Sequence, residues 1–403
     1  MPKLLLLISI GLLIHLTNIK AQDSLKCNSE GLSFIGVGDM MLGTHFPSPQ
    51  YLPPNNDPWP LIKEVQPVFE EADIVFGNLE GAFLDEGAVF KRCKDTTKCY
   101  AFKTPTSYAP VLKKVGFNLI NLANNHMRDF GPAGLKMTKH LLDSLQLPYA
   151  GLIDKPSDIL EYNGKKIGLC GFAPNTGTVQ INDLPNAIRI VKELEAQCDY
   201  VIVSFHGGAE GKAHQHVNRE TETFYGENRG NVYEFAHAMI DAGADLIFGH
   251  GPHVPRSIEI YKERFIAYSL GNFCTYSRFN LSGANGLTPV VQIWTDDEGR
   301  FQKGKIHPFR QIKGAGTFPD PSNHVIYKMR DITRIDFPEL NHRLIIDDDG
   351  DFYMPFEKPL RSNGFALFSN IIKTPSKLEK IELILLNGVI NEKDIKRKRR
   401  KSK

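Results

Sequence analysis

Between Leu32 and about Phe273, short apolar runs alternate with longer stretches in which apolar residues recur every third or fourth position. The runs Phe34–Val37, Ile74–Phe76, Leu119–Leu122, Lys166–Phe172, Tyr200–Phe205, Leu246–Phe248 and Phe265–Ser269 have the length and bounding turns of buried strands. Pro60–Glu71, Tyr108–Val115, Pro132–Leu145, Ala187–Ala196 and Asn231–Ala242 carry the helical period. Such alternation builds an α/β domain with a largely parallel or mixed sheet. After Phe273 the texture changes. Pro289–Thr295 and Phe301–His307 flank the turn Asp296-Asp297-Glu298-Gly299 and read as a β-hairpin. Beyond about Pro319 the pattern is mixed and polar, with one apolar patch at Ile381–Leu386 before a basic end. The expected organisation is a main domain over 32–318, a peripheral extension over 319–390 and a tail over 391–403.

The first 21 residues stand apart. Lys3 precedes the apolar run Leu4–Leu16, which is shorter than the roughly 20 residues a membrane span needs, and Ile19-Lys20-Ala21 offers a small-residue cleavage site. The segment reads as a secretory signal over 1–21, so a periplasmic, cell-surface or secreted protein is expected; an uncleaved membrane anchor is the alternative. Export permits disulfides, and Cys93 and Cys99, flanking the polar loop KDTTK, could form one. Cys170 and Cys274 sit in apolar settings that suit packing, and no CxxC pair points to structural zinc.

Composition is that of an ordinary globular chain, with 41% hydrophobic and 23% charged residues in 403. The formal charge of +2 hides a split. Seven of the eight residues in Lys396–Lys403 are basic, which leaves an acidic body. A run like this is a solvated end that could make weak, screened contact with an anionic membrane surface. No nucleic-acid partner is expected.

The candidate chemistry lies just past strand ends, where sheets of this class collect ligands. Asp39 ends the first strand in FIGVGDMMLG; Gly36 and Gly38 match two glycines of a dinucleotide fingerprint, but Met41 occupies the third place. Glu80 follows the second strand, and its two oxygens could bridge two cations. Asn124-Asn125-His126 follow the third. Asn125 offers a carbonyl to a hard cation, His126 a proton to a leaving group, and Asp129 a carboxylate to orient that imidazole. His206 opens HGGAEG, with Glu210 placed to fix a histidine tautomer. His250 and His253 leave a tight loop after Leu246–Phe248. Singly, each has a bland reading as a cap, a loop carboxylate or a core histidine. Together they form an oxygen and nitrogen donor set suited to divalent Mn, Fe or Zn.

The ordered motifs GD, NLE, NNHxxDxGxxG, HxGxE, GHxPHV and YSLGNF, spread over roughly Phe34–Phe273, resemble the CapA family, named for capsule and poly-γ-glutamate synthesis, and more distantly the calcineurin-like metallophosphoesterases. The resemblance implies a four-layer α/β/β/α sandwich holding two divalent metal ions. It places Asp39 and His253 on one metal, Glu80 between the two, and Asn125, His206 and His250 on the second. His126 matches the family's catalytic histidine and Asp129 its partner, while Asn272 in YSLGNF supports the site. The chain departs from the family where Gly207, Gly211 and Gly251 replace an aromatic, an aromatic and a histidine, and where Met41 replaces the histidine of a phosphoesterase Asp-x-His pair. The implied function is a metal-dependent hydrolase or transferase of phosphoester or γ-glutamyl bonds in capsule or poly-γ-glutamate metabolism, partnered by an anionic cell-envelope polymer or its precursor. The implied alternative is a non-catalytic polymer-binding component of capsule assembly or export.

Overall fold

Strand β1 (Ser33–Met41) is buried along its whole length because it runs through the interior of a sheet with neighbours on both sides. A computed structural model of the protein describes residues 31–91 and 99–355; the expected leader, Cys93, the patch Ile381–Leu386 and the basic tail lie outside the described residues. On one side of β1 run the parallel strands β2 (Ile74–Leu79), β3 (Leu119–Asn121) and β4 (Tyr149–Ala150).

The second sheet is made of β5 (Ser157–Tyr162), β6 (Lys165–Phe172), β7 (Tyr200–His206), β8 (Leu246–His250), β9 (Ile258–Tyr261) and β10 (Arg264–Ala267), in the order β9-β10-β8-β7-β6-β5. Its four inner strands are parallel and its two edges antiparallel. The chain then returns to the other flank of β1. There β11 (Asn272–Thr275) runs parallel to Asp39–Met41, and β12 (Leu287–Thr295) runs antiparallel to Ser33–Gly36. The expected hairpin is β12 with β13 (Phe301–Ile312), and it is part of the first sheet.

Alternation along β1 and β2 decides which sheet face meets what. Phe34, Ile74 and Phe76 point into a core shared with the second sheet, where Phe34 lies 5.3 Å from Tyr200 and Phe76 stacks 5.3 Å from Phe248. Gly36 stands on the same face, and a Cβ there would meet the Phe248 ring at 2.3 Å, so this glycine admits the ring. Ile35, Val37 and Val75 point the other way, towards Leu112 and Val115 of helix α1 (Pro110–Val115) and Leu142 of α2 (Gly131–Ser144). Over the outer face of the second sheet lie α3 (Leu184–Glu195) and α4 (Val232–Asp241). Phe235 of α4 packs its ring edge-on against Phe172 and Phe205. The result is an α/β/β/α sandwich. Burying each of these aromatic side chains contributes roughly 1.5–3 kcal/mol, so truncating Phe248 would damage the inter-sheet core most directly.

The segment after 319 departs from expectation. Strand β14 (Gly316–Pro319) pairs with β13, and β15 (Ile345–Ile346) and β16 (Asp351–Tyr353) close that edge of the first sheet. Helix α5 (His324–Asp336) buries Val325, Ile326, Met329 and Ile332, an i, i+1, i+4, i+7 stripe that drives it into the core. Residues 319–353 are therefore built into the domain rather than laid beside it.

Candidate metal centre

Two rows of polar residues meet at the carboxyl ends of the two sheets. In the first sheet Asp39 stands in register with Asn272 on one side and Asn78 on the other, and Asn78 with Asn121. The amides form a chain: Asn121 donates to Asn78 Oδ1 at 2.9 Å, and Asn78 donates to Asp39 Oδ1 at 2.7 Å. In the second sheet His206 and His250 are register partners on β7 and β8. Register thus delivers side chains from distant parts of the chain to one level, and the sandwich turns the two rows towards each other.

Asp39 lies at their junction. Its Oδ1 is 3.2 Å from His250 Nδ1 and its Oδ2 is 2.9 Å from His253 Nδ1. Glu80, one residue past β2, has its Oε1 3.5 Å from His253 Nε2 and 3.7 Å from His126 Nε2. Donor atoms of Asp39, Glu80 and His206 all lie within 4.8 Å of one another. His253 holds a left-handed backbone with φ 58°, a strained conformation for a histidine that is found at functional sites. Its carbonyl oxygen accepts from both Asn272 Nδ2 (3.3 Å) and Asn285 Nδ2 (3.0 Å), which pins the loop.

Buried polar atoms are ordinarily hydrogen-bonded. Here both oxygens of Glu80, Asn125 Oδ1, both ring nitrogens of His206 and His250 Nε2 are buried without a hydrogen-bond partner, while Asp39 Oδ2 with His253 Nδ1, and His250 Nδ1 with Asp39 Oδ1, approach closely without hydrogen-bond alignment. The electrostatics are equally unsettled. Burial opposes ionisation of Asp39, but His250 and His253 outweigh it and hold the carboxyl well below its usual range. Burial raises Glu80 well above the usual range, with Asp39 and Glu210 adding to it. Burial works downward on His253 too, yet Glu80 and Asp39 lift it to about 10. Burial drives His206 well below its usual value. Two buried carboxylates and two buried imidazoles, with His253 at the cleft edge, have more acceptor capacity than the protein satisfies. A divalent cation would take up that capacity, and the donor types suit one. The residues present fit a metal ion.

Beside this cluster, His126 Nδ1 lies 2.7 Å from Asp129 Oδ2. Asp129 is itself fixed by the Phe102 N–H (2.8 Å) and by Lys91 Nζ (2.6 Å). Asn124 shapes the turn, its Oδ1 accepting the N–H groups of His126 and Met127 and its Nδ2 donating to the Leu79 carbonyl. Glu210 does not meet a histidine as expected. Its Oε1 is 3.4 Å from Arg229 Nη1, because Arg229, also 3.0 Å from Glu227, reaches it first. Arg256 and Glu222 form a buried bidentate pair (2.7 Å for each contact) that grips the Ala209 carbonyl and N–H, holding the backbone between His206 and Glu210. Cys99 is disulfide-bonded; its expected partner Cys93 lies outside the described residues. Cys170, Cys198 and Cys274 are free thiols.

The site opens into a cleft of about 650 Å³. The aromatic side chains missing at Gly207 and Gly211 come from elsewhere. Phe102 lies 4.2 Å from the His126 ring and stacks on Phe279, which stands edge-on to His253 at 5.3 Å. Gly207 has no room for a side chain, since a Cβ would meet Ile181 at 2.8 Å and the Arg229 carbonyl at 2.9 Å. Sequence reasoning did not find Asn78, Lys91, Phe102, Arg229 or Phe279. Asn78 carried a signal, standing inside NLE two residues before Glu80; the other four gain their roles only by folding.

Residues 33–277 match the protein family described as "Bacterial capsule synthesis protein PGA_cap". The chain is 29% identical to the capsule biosynthesis protein CapA of Bacillus anthracis over 264 residues, covering 61% of this chain and 60% of that protein. It is 31% identical to the PGA biosynthesis protein CapA of Bacillus subtilis over 259 residues, covering 60% and 63%. The match thus spans a little over three-fifths of these relatives' own length. Among solved structures, a putative 5'-nucleotidase from Staphylococcus aureus is 15% identical with a TM-score of 0.39, covering 78% of this chain and 59% of that one. With more than half its length matched, and with the motifs of that match lining the cluster described above, the chain belongs to the bacterial capsule synthesis protein PGA_cap family.

Proposed function

We propose that this protein is an exported, metal-dependent hydrolase or transferase of phosphoester or γ-glutamyl amide bonds, acting on an anionic cell-envelope polymer or its precursor. The observation that carries the proposal is the convergence of donors from Asp39, Glu80 and His206 within 4.8 Å of one another, with His250 and His253 against Asp39 and the unpartnered Asn125 Oδ1 in the same cleft lining. Asp39, His253 and Glu80 would hold one divalent ion, and Asn125, His206, His250 and Glu80 a second. Bound there, such ions supply an activated water and charge for a developing oxyanion. The chain's own groups do the rest. His126, oriented by Asp129, delivers a proton from Nε2 to a leaving group. Burial keeps its pKa below the ordinary histidine value, which makes it a readier donor once charged. Phe102 and Phe279 wall the reacting region, and the amide chain from Asn121 through Asn78 holds Asp39 in one orientation. The names of the two Bacillus relatives, capsule and PGA biosynthesis, support the choice of substrate class.

Reconstitution with manganese, iron or zinc salts followed by elemental analysis tests the centre, and hydrolysis of bis(p-nitrophenyl) phosphate and of a γ-glutamyl anilide tests the reaction. Wild-type protein retains metal and turns over one of the two; the Asp39→Ala/His253→Ala double variant loses both properties. Wild-type protein that stays empty after reconstitution would overturn the reading.

A further inference from the structure

Arg278 is the one cleft-lining guanidinium without a carboxylate beside it among the described residues. Lys91 faces Asp129, and Arg229 faces Glu210 and Glu227. Arg278 instead contacts two tyrosine rings, with its Cζ 4.9 Å from the Tyr51 centroid and 5.0 Å from that of Tyr100. The ring contacts engage the π-face of the guanidinium and do not use its in-plane N–H donors, which stay available to another group. Its Nε is buried without a partner. The preceding residue, Ser277, holds φ 75°, a conformation that costs a non-glycine residue of order 1–3 kcal/mol and recurs at ligand clamps.

The supports of this side chain run back to the reacting region. Phe279, next in sequence, stands edge-on to His253 and stacks on Phe102. Tyr100 is tied on one side to the disulfide-bonded Cys99 and on the other, through Ala101, to Phe102, whose N–H donates to Asp129. Tyr51 closes a short turn held by the Thr44 N–H on its carbonyl. One loop therefore sets Phe279 against His253 and puts Arg278 in the lining of the same cleft.

We propose that Arg278, clamped by Tyr51 and Tyr100, is a subsite for a second anionic group of the substrate, a carboxylate or phosphate lying away from the bond that reacts. The proposal rests on the reading of the cluster as the reacting centre. The site therefore selects a polyanion with charges at a fixed spacing, rather than a lone ester or amide. A planar fork reads such an oxyanion with two parallel hydrogen bonds.

Titration calorimetry on the manganese-reconstituted full chain tests this with three probes: tri-γ-glutamate, the same trimer with its α-carboxylates amidated, and glycerol 1,3-bisphosphate. Arg278→Gln is expected to weaken the trimer or the bisphosphate by at least about ten-fold, the scale of a lost charged hydrogen bond. Arg278→Lys recovers only part of the loss, having charge without the fork. If the trimer is the affected probe, amidation removes the dependence on residue 278 and the oxyanion is a carboxylate; if the bisphosphate is affected, it is a phosphate. Equal affinity of wild type, Gln and Lys variants for every probe overturns the proposal, as does wild-type protein that binds none of them. Elemental analysis of the same samples separates the two readings. Protein without metal that still binds in an Arg278-dependent way keeps the subsite and sinks the metal centre, whereas metal retention with binding indifferent to residue 278 does the reverse.

Discussion

His126 and Asp129 face each other at 2.7 Å across a single turn, and the same carboxylate also receives the Phe102 N–H and the Lys91 ammonium. One buried acid thus orients the imidazole, anchors an aromatic wall residue and neutralises a cation at the cleft. Replacing it disturbs all three, whereas replacing the histidine removes the proposed proton donor and its contact with Phe102. His126→Ala is expected to lower kcat by roughly 10²–10⁴-fold with little change in KM. Asp129→Asn should lower kcat and also reduce stability, because Lys91 loses its counter-charge. Steady-state kinetics paired with urea melts distinguishes the two profiles; equal losses of stability in both variants would contradict the assignment.

Glu80 is expected to lower the stability of the metal-free protein as pH rises. Burial raises its carboxyl well above the usual range in the folded state. A raised pKa contributes stability that is complete below the unfolded value, near 4.5, and is lost as pH rises through the folded one. In metal-free protein at pH 8, Glu80→Gln should therefore melt higher than wild type. Adding manganese reverses the order, since the wild-type protein gains up to about 4 kcal/mol at a thousand-fold excess over Kd and the variant gains little. Thermal melts with and without chelator check both halves.

The buried Arg256–Glu222 pair lies outside the proposed ligands but holds the backbone after His206. Removing one partner leaves an uncompensated charge, which costs about 3–5 kcal/mol. Glu222→Gln should show that loss in denaturant melts, together with weaker metal retention in the surviving folded protein. A loss below about 1 kcal/mol would mean the pair is more hydrated than its burial implies.

His307, away from the cleft, is expected to contribute to acid sensitivity. Burial beside Gln292, helped by Lys305, pushes His307 down to about 4. A depressed histidine contributes stability that is complete above the unfolded pKa near 6.5 and disappears as pH falls through 4. His307→Gln should flatten the stability profile between pH 6.5 and 4 relative to wild type, read from melting temperatures at constant ionic strength.

Local pattern reached far into this fold. Apolar runs such as Phe34–Val37 and Tyr200–Phe205 became strands, and Asp39 near the end of β1, Glu80 just past β2 and His206 at the end of β7 came together in one cluster. The period-two alternation of β1 was written in the chain, with Phe34 and Gly36 on one face and Ile35 and Val37 on the other. What escaped was the tail of the domain. The buried stripe Val325, Ile326, Met329 and Ile332 is helical in period, but it is embedded in a polar stretch that masks it.

What the sequence determined by itself was composition of the site: which donor types exist, in what order, and that strand ends would carry them, because alternation and turn chemistry act over a few residues. Only the tertiary structure decided who meets whom. Asn78 found Asp39, and His206 found His250, through inter-strand register. Arg229 claimed Glu210, and Phe102 and Phe279 took the place of missing aromatics, because contacts between residues scores of positions apart depend on how two sheets and their loops pack. Hydrophobic periodicity sets faces; packing alone sets distances.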